Sequence, residues 1–280
     1  MLSRYSSFRT FSDNAKLGAL TSFSAGMVNV ISVIVFFAFT GNITGHFAIL
    51  SQEIAKGNWH QASVTLLWIG LFFIGNFISG LSIIHASQKT GRYFAHAMPI
   101  LLEIACLIAT GFYLSHYYMD TLLETEVLVG VMLFAMGLQN GLTASVSNFA
   151  VKTTHLTGLT TDLGVLLSML IKKEYRKDNR LVQRAQLLFV ILVAYVIGGI
   201  LAGLLHYWIQ YNVFHVVSAV LCIVVLYDAY QLGVVKLLIL RRPVIRKYIS
   251  VDPVQTASKV KKTFKVTIRS KASKSNAQMT

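Results

Sequence analysis

The chain has 280 residues, 55% hydrophobic and 13% charged, with a formal net charge of +14. A soluble domain carries about 25% charge, so the composition excludes an ordinary soluble fold, and 19 glycines against 3 prolines do not suggest disorder. The position of the charge argues against nucleic acid: from Lys236 onward there are 12 Lys/Arg and one acid, Asp252, a basic tail behind an apolar block and suited to anionic lipid.

Residues 1–16 lack an apolar core and read as a cytoplasmic N-terminus, not a signal peptide. A hydrocarbon core about 30 Å thick needs roughly 20 apolar residues. Six blocks reach that length, at about 17–39, 62–86, 97–118, 124–148, 183–209 and 212–238. Pro99 stands near the start of the third, where its missing N–H costs nothing. Two shorter, more polar stretches, 42–56 and 159–173, are re-entrant, interfacial or short true spans. Cys106 and Cys222 lie inside apolar blocks and read as small buried hydrophobes.

Lys and Arg gather on the cytoplasmic side of a membrane protein. Arg4, Arg9 and Lys16 precede the first block; Lys89 and Arg92 follow the second; Lys172, Lys173, Arg176, Lys177, Arg180 and Arg184 precede the fifth. The 117–126 loop carries only Asp120, Glu124 and Glu126, and the 207–212 loop has no charge. If the short stretches do not cross, every basic segment falls inside, with both termini cytoplasmic. Trp59, Tyr117, Tyr118, Tyr207, Trp208 and Tyr211 then fall at the outer interface.

The chain also resembles itself. Gly26-Met27-Val28-Asn29 matches Gly137-Leu138-Gln139-Asn140, and Thr40-Gly41-Asn42-Ile43-Thr44 matches Thr157-Gly158-Leu159-Thr160-Thr161. Ile74-Gly75-Asn76-Phe77-Ile78-Ser79-Gly80-Leu81 matches Ile197-Gly198-Gly199-Ile200-Leu201-Ala202-Gly203-Leu204. The expected fold is therefore an all-α integral membrane protein of about six helices, as two inverted three-helix repeats, each with a short re-entrant or broken helix. The first membrane repeat covers 17–118, the second 119–238, and the basic cytoplasmic tail 239–280. If the short stretches cross, there are eight spans and the repeats run parallel. Gly75/Gly80 and Gly198/Gly203 are spaced for close helix approach.

The run Phe39-Thr40-Gly41-Asn42-Ile43-Thr44, after a first helix containing Asn29, is similar to a motif of the YoaK-like family of bacterial multi-span membrane proteins. Gly137-Leu138-Gln139-Asn140 followed by Thr153-Thr154-His155-Leu156-Thr157-Gly158 resembles that family's second motif. The resemblance covers most of residues 15–235 and stops before the tail. It implies an inner-membrane protein usually counted as six helices, and no reaction.

The candidate substrate-binding residues are Asn29, Thr40, Gly41, Asn42, Thr44, Asn140, Thr157, Gly158, Thr160, Thr161 and Asp162. Helix breaks at the Thr-Gly runs would expose N–H groups and the positive end of the helix dipole, a setting for an anion or a polar solute. Helix capping accounts for the same Thr, Asn and Gly residues. Asn29 and Asn140 line a path or serve as interhelical hydrogen bonds. Glu103 and Asp228 are acids within long spans, placed a turn or two from the cytoplasmic face. His46, His60, His96, His116, His155, His206 and His215 read as interfacial.

No metal-type His/Glu spacing, serine elbow or phosphate loop appears, so neither enzyme nor cofactor is expected. The expected function is a transporter or channel for a small polar or anionic solute in the cell membrane. The alternative is a non-transporting scaffold whose tail, with Val260, Phe264 and Ile268 on one face, binds anionic lipid or a partner protein. The bilayer is the first partner, nucleic acid is not one, and a homo-oligomer stays open.

Overall fold

The computed structural model describes the backbone of residues 10–84, 92–147 and 149–241, with side-chain surroundings for all of these except 92–95 and 228–241. Arg4, Arg9, Lys89, Asn148 and the tail with Val260, Phe264 and Ile268 lie outside the described residues, as do the side chains of Arg92, Asp228 and Lys236. The elements in order are α1 (Phe11–Phe36), α2 (Ile43–Ala55), α3 (Trp59–Ile84), α4 (Arg92–His116), α5 (Leu122–Val146), α6 (Leu156–Leu170), the one-turn α7 (Lys173–Arg176), α8 (Asn179–Ile209), a 3-10 turn (Gln210–Asn212) and α9 (Val213–Arg241). No strand occurs among the described residues. Met1–Ala229 forms one compact unit; the described part of the second, Tyr230–Thr280, is the continuation of α9.

Among the described residues, five helical stretches are long and apolar enough to cross a membrane. The last, Asn179–Tyr227, is 49 residues long, which as one straight helix would reach about 70 Å, more than twice a hydrocarbon core. It is broken at Gln210, whose φ of +46° leaves the helical region. Beyond the break, Val213, Phe214, Val217 and Leu221 are buried in the same core as Ile100, Ile104 and Leu107 of α4. The chain is thus a membrane-embedded helical bundle. By contrast α2, with 13 residues, and α6, with 15, are too short to span alone, at about 20 Å each.

Reciprocal capping boxes start two of the long helices. The Thr10 hydroxyl accepts from the Asp13 N–H at 3.3 Å, and the Asp13 carboxylate accepts from the Thr10 N–H at 3.2 Å. At α5 the Thr121 hydroxyl accepts from the Glu124 N–H at 3.3 Å, and the Glu124 carboxylate accepts from the Thr121 N–H at 3.2 Å and the Tyr113 hydroxyl at 2.6 Å. Thr121→Ala removes a cap acceptor, so its thermal unfolding in detergent is expected to show a loss of about 1 kcal/mol.

Side-chain contacts give the helix directions. Gly18 of α1 lies against Ile191 of α8 and Val151 just beyond α5. At the other end, Phe36 packs on Phe214 with ring centroids 6.3 Å apart, and Tyr118, beside the α5 N-terminus, meets Tyr211 at 6.4 Å. So α1 and α8 run parallel, from an end bearing Arg176, Arg180 and Arg184 to an end bearing Tyr118, Tyr207, Trp208 and Tyr211. We call these the basic and aromatic ends. The α5 helix runs the opposite way, and α3 runs beside it: Trp68 Nε1 donates to Glu126 O at 2.9 Å and Ser79 Oγ to Leu138 O at 2.6 Å.

Glycines bring two helix pairs into backbone contact. A Cβ at Gly26 would collide with Tyr195 O, and one at Gly198 with Phe23 O, which joins α1 to α8. A Cβ at Gly75 would collide with Phe134 O, and one at Gly137 with Phe72 O, which joins α3 to α5. Lipid tails are as apolar as the side chains, so membrane helices associate through such close packing and through interhelical hydrogen bonds. Gln139 provides one of these, donating to Thr21 O at 3.1 Å and Ser24 Oγ at 2.6 Å. Only one glycine of each expected pair takes part. Gly80 faces open space, and Gly203 would make only ordinary contacts with Val30 and Ile34.

Candidate functional site: two helix breaks facing one cavity

After α1 the chain turns back on itself. Phe37 closes the helix in the left-handed region, at φ +53°, and Thr40 and Gly41 reach Asn29, two turns inside α1. Asn29 Oδ1 accepts from the Thr40 N–H at 3.0 Å and the Gly41 N–H at 2.9 Å. Asn42 then caps α2, its Oδ1 accepting from the Gly45 N–H at 3.2 Å.

The second break is built alike. Phe149 follows α5 with a left-handed φ of +61°. Asn140 Oδ1 accepts from the Thr153 N–H at 3.2 Å and the Thr153 hydroxyl at 2.8 Å, and Asn140 Nδ2 donates to the Thr154 hydroxyl. His155 stands at the N-cap of α6 but makes no side-chain cap bond. In each case an asparagine takes the backbone N–H of a returning segment that its own helix cannot serve. Buried polar groups need such partners.

The two short helices leave in opposite directions. From its start beside Asn29, α2 runs toward the aromatic end, where His46 meets Trp68 edge-on at 5.5 Å. From beside Asn140, α6 runs toward the basic end, burying Leu159, Leu163 and Leu166 with Leu187, Leu188 and Ile191 of α8. Neither runs the length of the bundle. Their N-termini touch: a Cβ at Gly41 would sit 3.1 Å from Thr154 Cγ2.

Both N-termini open onto a cavity of about 360 Å³, within the range of small-molecule sites. Gly41, Asn42 and Thr44 line it from the first break, and Thr154, His155 and Thr157 from the second. Phe72, Asn76, Asn140 and Lys152 complete much of the wall. A second cleft, of about 770 Å³, opens between α1, α6 and α8, and Phe149, Lys152 and His155 line both spaces.

Of the candidates read from the sequence, Gly41, Asn42, Thr44, Asn140 and Thr157 meet at the inner cavity. Asn29 and Thr40 stand behind it as the clamp, the Thr40 side chain being buried. Gly158 and Asp162 line the larger cleft. Asp162 pairs with Arg184 at 3.2 Å. Thr160 and Thr161 line neither space; the Thr161 hydroxyl donates to Thr157 O at 3.0 Å within its own helix.

Sequence reasoning missed Lys152, Thr154 and the cavity position of His155. The loop that carries them, 147–155, has no periodicity to place it, and only the Thr153-Thr154-His155 run beside Gly158 marks it. His46 is buried, not interfacial: Nε2 donates to Phe39 O at 2.6 Å, tying α2 back to the turn before it. Glu103 is fully buried and neither carboxyl oxygen has a hydrogen-bond partner. Glu53, near the end of α2, is half-buried; hydrogen bonds from Lys56 first, then Asn58, hold its carboxyl below the usual range.

A bundle of long apolar helices with two short helices starting inside it defines a multi-span membrane protein. The chain belongs to the DUF1275 family of proteins of unknown function, whose family model matches residues 17–227. The expected likeness to the YoaK-like proteins agrees with that membership. No curated protein and no solved structure matches the chain.

Proposed function

We propose that the protein is a transporter or channel for a small polar or anionic solute, built from two inverted halves of three crossings each. The single observation that carries this reading is the convergence of the α2 and α6 N-termini on one cavity. Helix N-termini present unpaired N–H groups and a positive partial charge. Transporters with inverted repeats place substrate at such half-helix ends near the bilayer midplane.

Support for the two-fold plan comes from the contacts. Gly26 against Tyr195 O and Gly198 against Phe23 O have counterparts in Gly137 against Phe72 O and Gly75 against Phe134 O. In each case the carbonyl lies three residues before the partner's glycine. Asn29 and Asn140, three residues after Gly26 and Gly137, clamp the two returns. On this plan the best register sets Thr44-Gly45 against Thr157-Gly158, four residues from the match of the Thr-Gly runs alone. The halves run in opposite senses because α1 and α5 do. Six crossings follow if α8 and α9 cross separately on either side of the Gln210 break.

Thr44 and Thr157 line the cavity from matching places on the two short helices. The double substitution Thr44→Val, Thr157→Val removes both hydroxyls at nearly constant volume. In proteoliposomes tested with a panel of small polar neutral and anionic solutes, the wild-type protein should admit at least one above empty vesicles. The double variant should reduce that flux by about tenfold or more, from the loss of two polar contacts, with its thermal midpoint little changed. Equal flux in both proteins would place the path elsewhere, and no flux for any solute would remove the transport reading.

A further inference from the structure

We propose that the cleft between α1, α6 and α8 is an entrance for small organic anions, each with one charged head and a short apolar body, and that Lys152 draws the head from it into the inner cavity. This rests on the transport reading and names its substrate class.

The lining of the cleft is two-sided. Lys152, Arg180 and Arg184 face it with one carboxylate, Asp162. That carboxylate is taken up by Arg184 at 3.2 Å, so the wall keeps positive charge on Arg180 and Lys152. The opposite wall is apolar: Leu159, Leu187, Leu188 and Ile191 belong to the packed core between α6 and α8. An inorganic anion would gain nothing from that wall, and a neutral apolar solute nothing from the cations. A head-and-body anion uses both.

Lys152 connects the two chambers. It lines each of them and lies between Val151 and Thr153, both fully buried. The ion pairs among the described residues are Lys56–Glu53, His60–Glu126 and Arg184–Asp162, and none involves Lys152. The Lys152 side chain is itself exposed, so its ammonium is open to the space where the two chambers meet and available to an anion entering from outside the chain. Phe149 and His155 flank the same passage, and Phe149 is held there by a left-handed backbone that a bulky residue rarely adopts. The inner cavity of about 360 Å³ is large enough for a body the size of an octanoate chain.

The test uses octanoate, with 1-octanol as its uncharged counterpart, on the full-length protein in nanodiscs of zwitterionic lipid. Equilibrium dialysis should show specific retention of octanoate over 1-octanol. Lys152→Gln should weaken it by about tenfold or more, the usual worth of a charge-assisted contact, while Lys152→Arg keeps most of it. Lys56→Gln, distant from both chambers, should leave it unchanged. Octanoate that does not bind, or binds Lys152→Gln as well as wild type, overturns the proposal. So does displacement of octanoate by phosphatidylglycerol in the disc together with no octanoate uptake by proteoliposomes, because the cleft would then hold a lipid headgroup. If either result came while Thr44→Val, Thr157→Val still blocked another solute, the anion assignment would fall and transport would stand.

Discussion

Gly198→Val is expected to leave little folded protein in mild detergent. The Cβ alone would enter the space of Phe23 O, a backbone atom that no rotamer change can move. The two helices must then separate along their contact, and α1 and α8 share one of the two glycine seams of the bundle. Overpacking costs about 1–3 kcal/mol where side chains can adjust and more where backbone must shift. At the upper end of that range, the thermal midpoint of a domain this size falls by about 10 °C. Gly80→Ala is the matching control on α3: its Cβ meets nothing within 4 Å, and alanine in a helix gains about 0.5–1 kcal/mol over glycine. Size-exclusion profiles and thermal midpoints of the two variants measure the difference. Two equally stable variants would mean that the α1–α8 seam does not hold the bundle together.

Asn29→Ala should be nearly as damaging, by another route. It removes the acceptor for the Thr40 and Gly41 N–H groups, at 3.0 and 2.9 Å. Each donor left unsatisfied in a buried place costs about 1–3 kcal/mol, so the return segment would lose its anchor and α2 its starting point. Asn29→Asp keeps the acceptor oxygen and should retain most of the stability. Hydrogen exchange at Thr40 and Gly41 reads the effect directly: protection lost in the alanine variant and kept in the aspartate variant. Unchanged protection in Asn29→Ala would show that the turn is held by other groups, such as His46 on Phe39 O.

Much of the fold could be read from the sequence because it follows from local lengths. Apolar blocks long enough to span were found within a few residues of α1, α3, α4, α5, α8 and α9. The two short stretches are helices whose length falls short of a membrane. Their starts lie where the Thr-Gly runs suggested for α2 and a few residues earlier for α6, since His155 and not Thr157 is its N-cap. The glycines were half legible. Gly75 and Gly198 make the backbone contacts, but Gly26, Gly137 and Gly141 matter as much and Gly80 does not. Spacing along one helix cannot say which glycine faces a partner.

The candidate site divides the same way. Asn29 and Asn140 stood out as polar groups in apolar helices, and both serve as clamps. Thr160, Thr161 and Asp162 carried the same polar signal, yet they lie on turns of α6 beyond the cavity. Lys152 gave no signal, because one lysine in a loop looks like any solvated charge.

By itself the sequence determined the long helices and the two places where the chain breaks inside an apolar region. These are local matters: apolar length, Cβ-free residues and side chains able to cap. Only the tertiary structure decided that the two breaks face each other across one cavity, that Gly26 and Gly137 seat on separate helices, and that Lys152 stands between two chambers. Such facts depend on pairing segments far apart in the chain, as with Gly137 on Phe72 O and Gln139 on Thr21 O. Close packing, not the pattern along either segment, selects the register in which they meet.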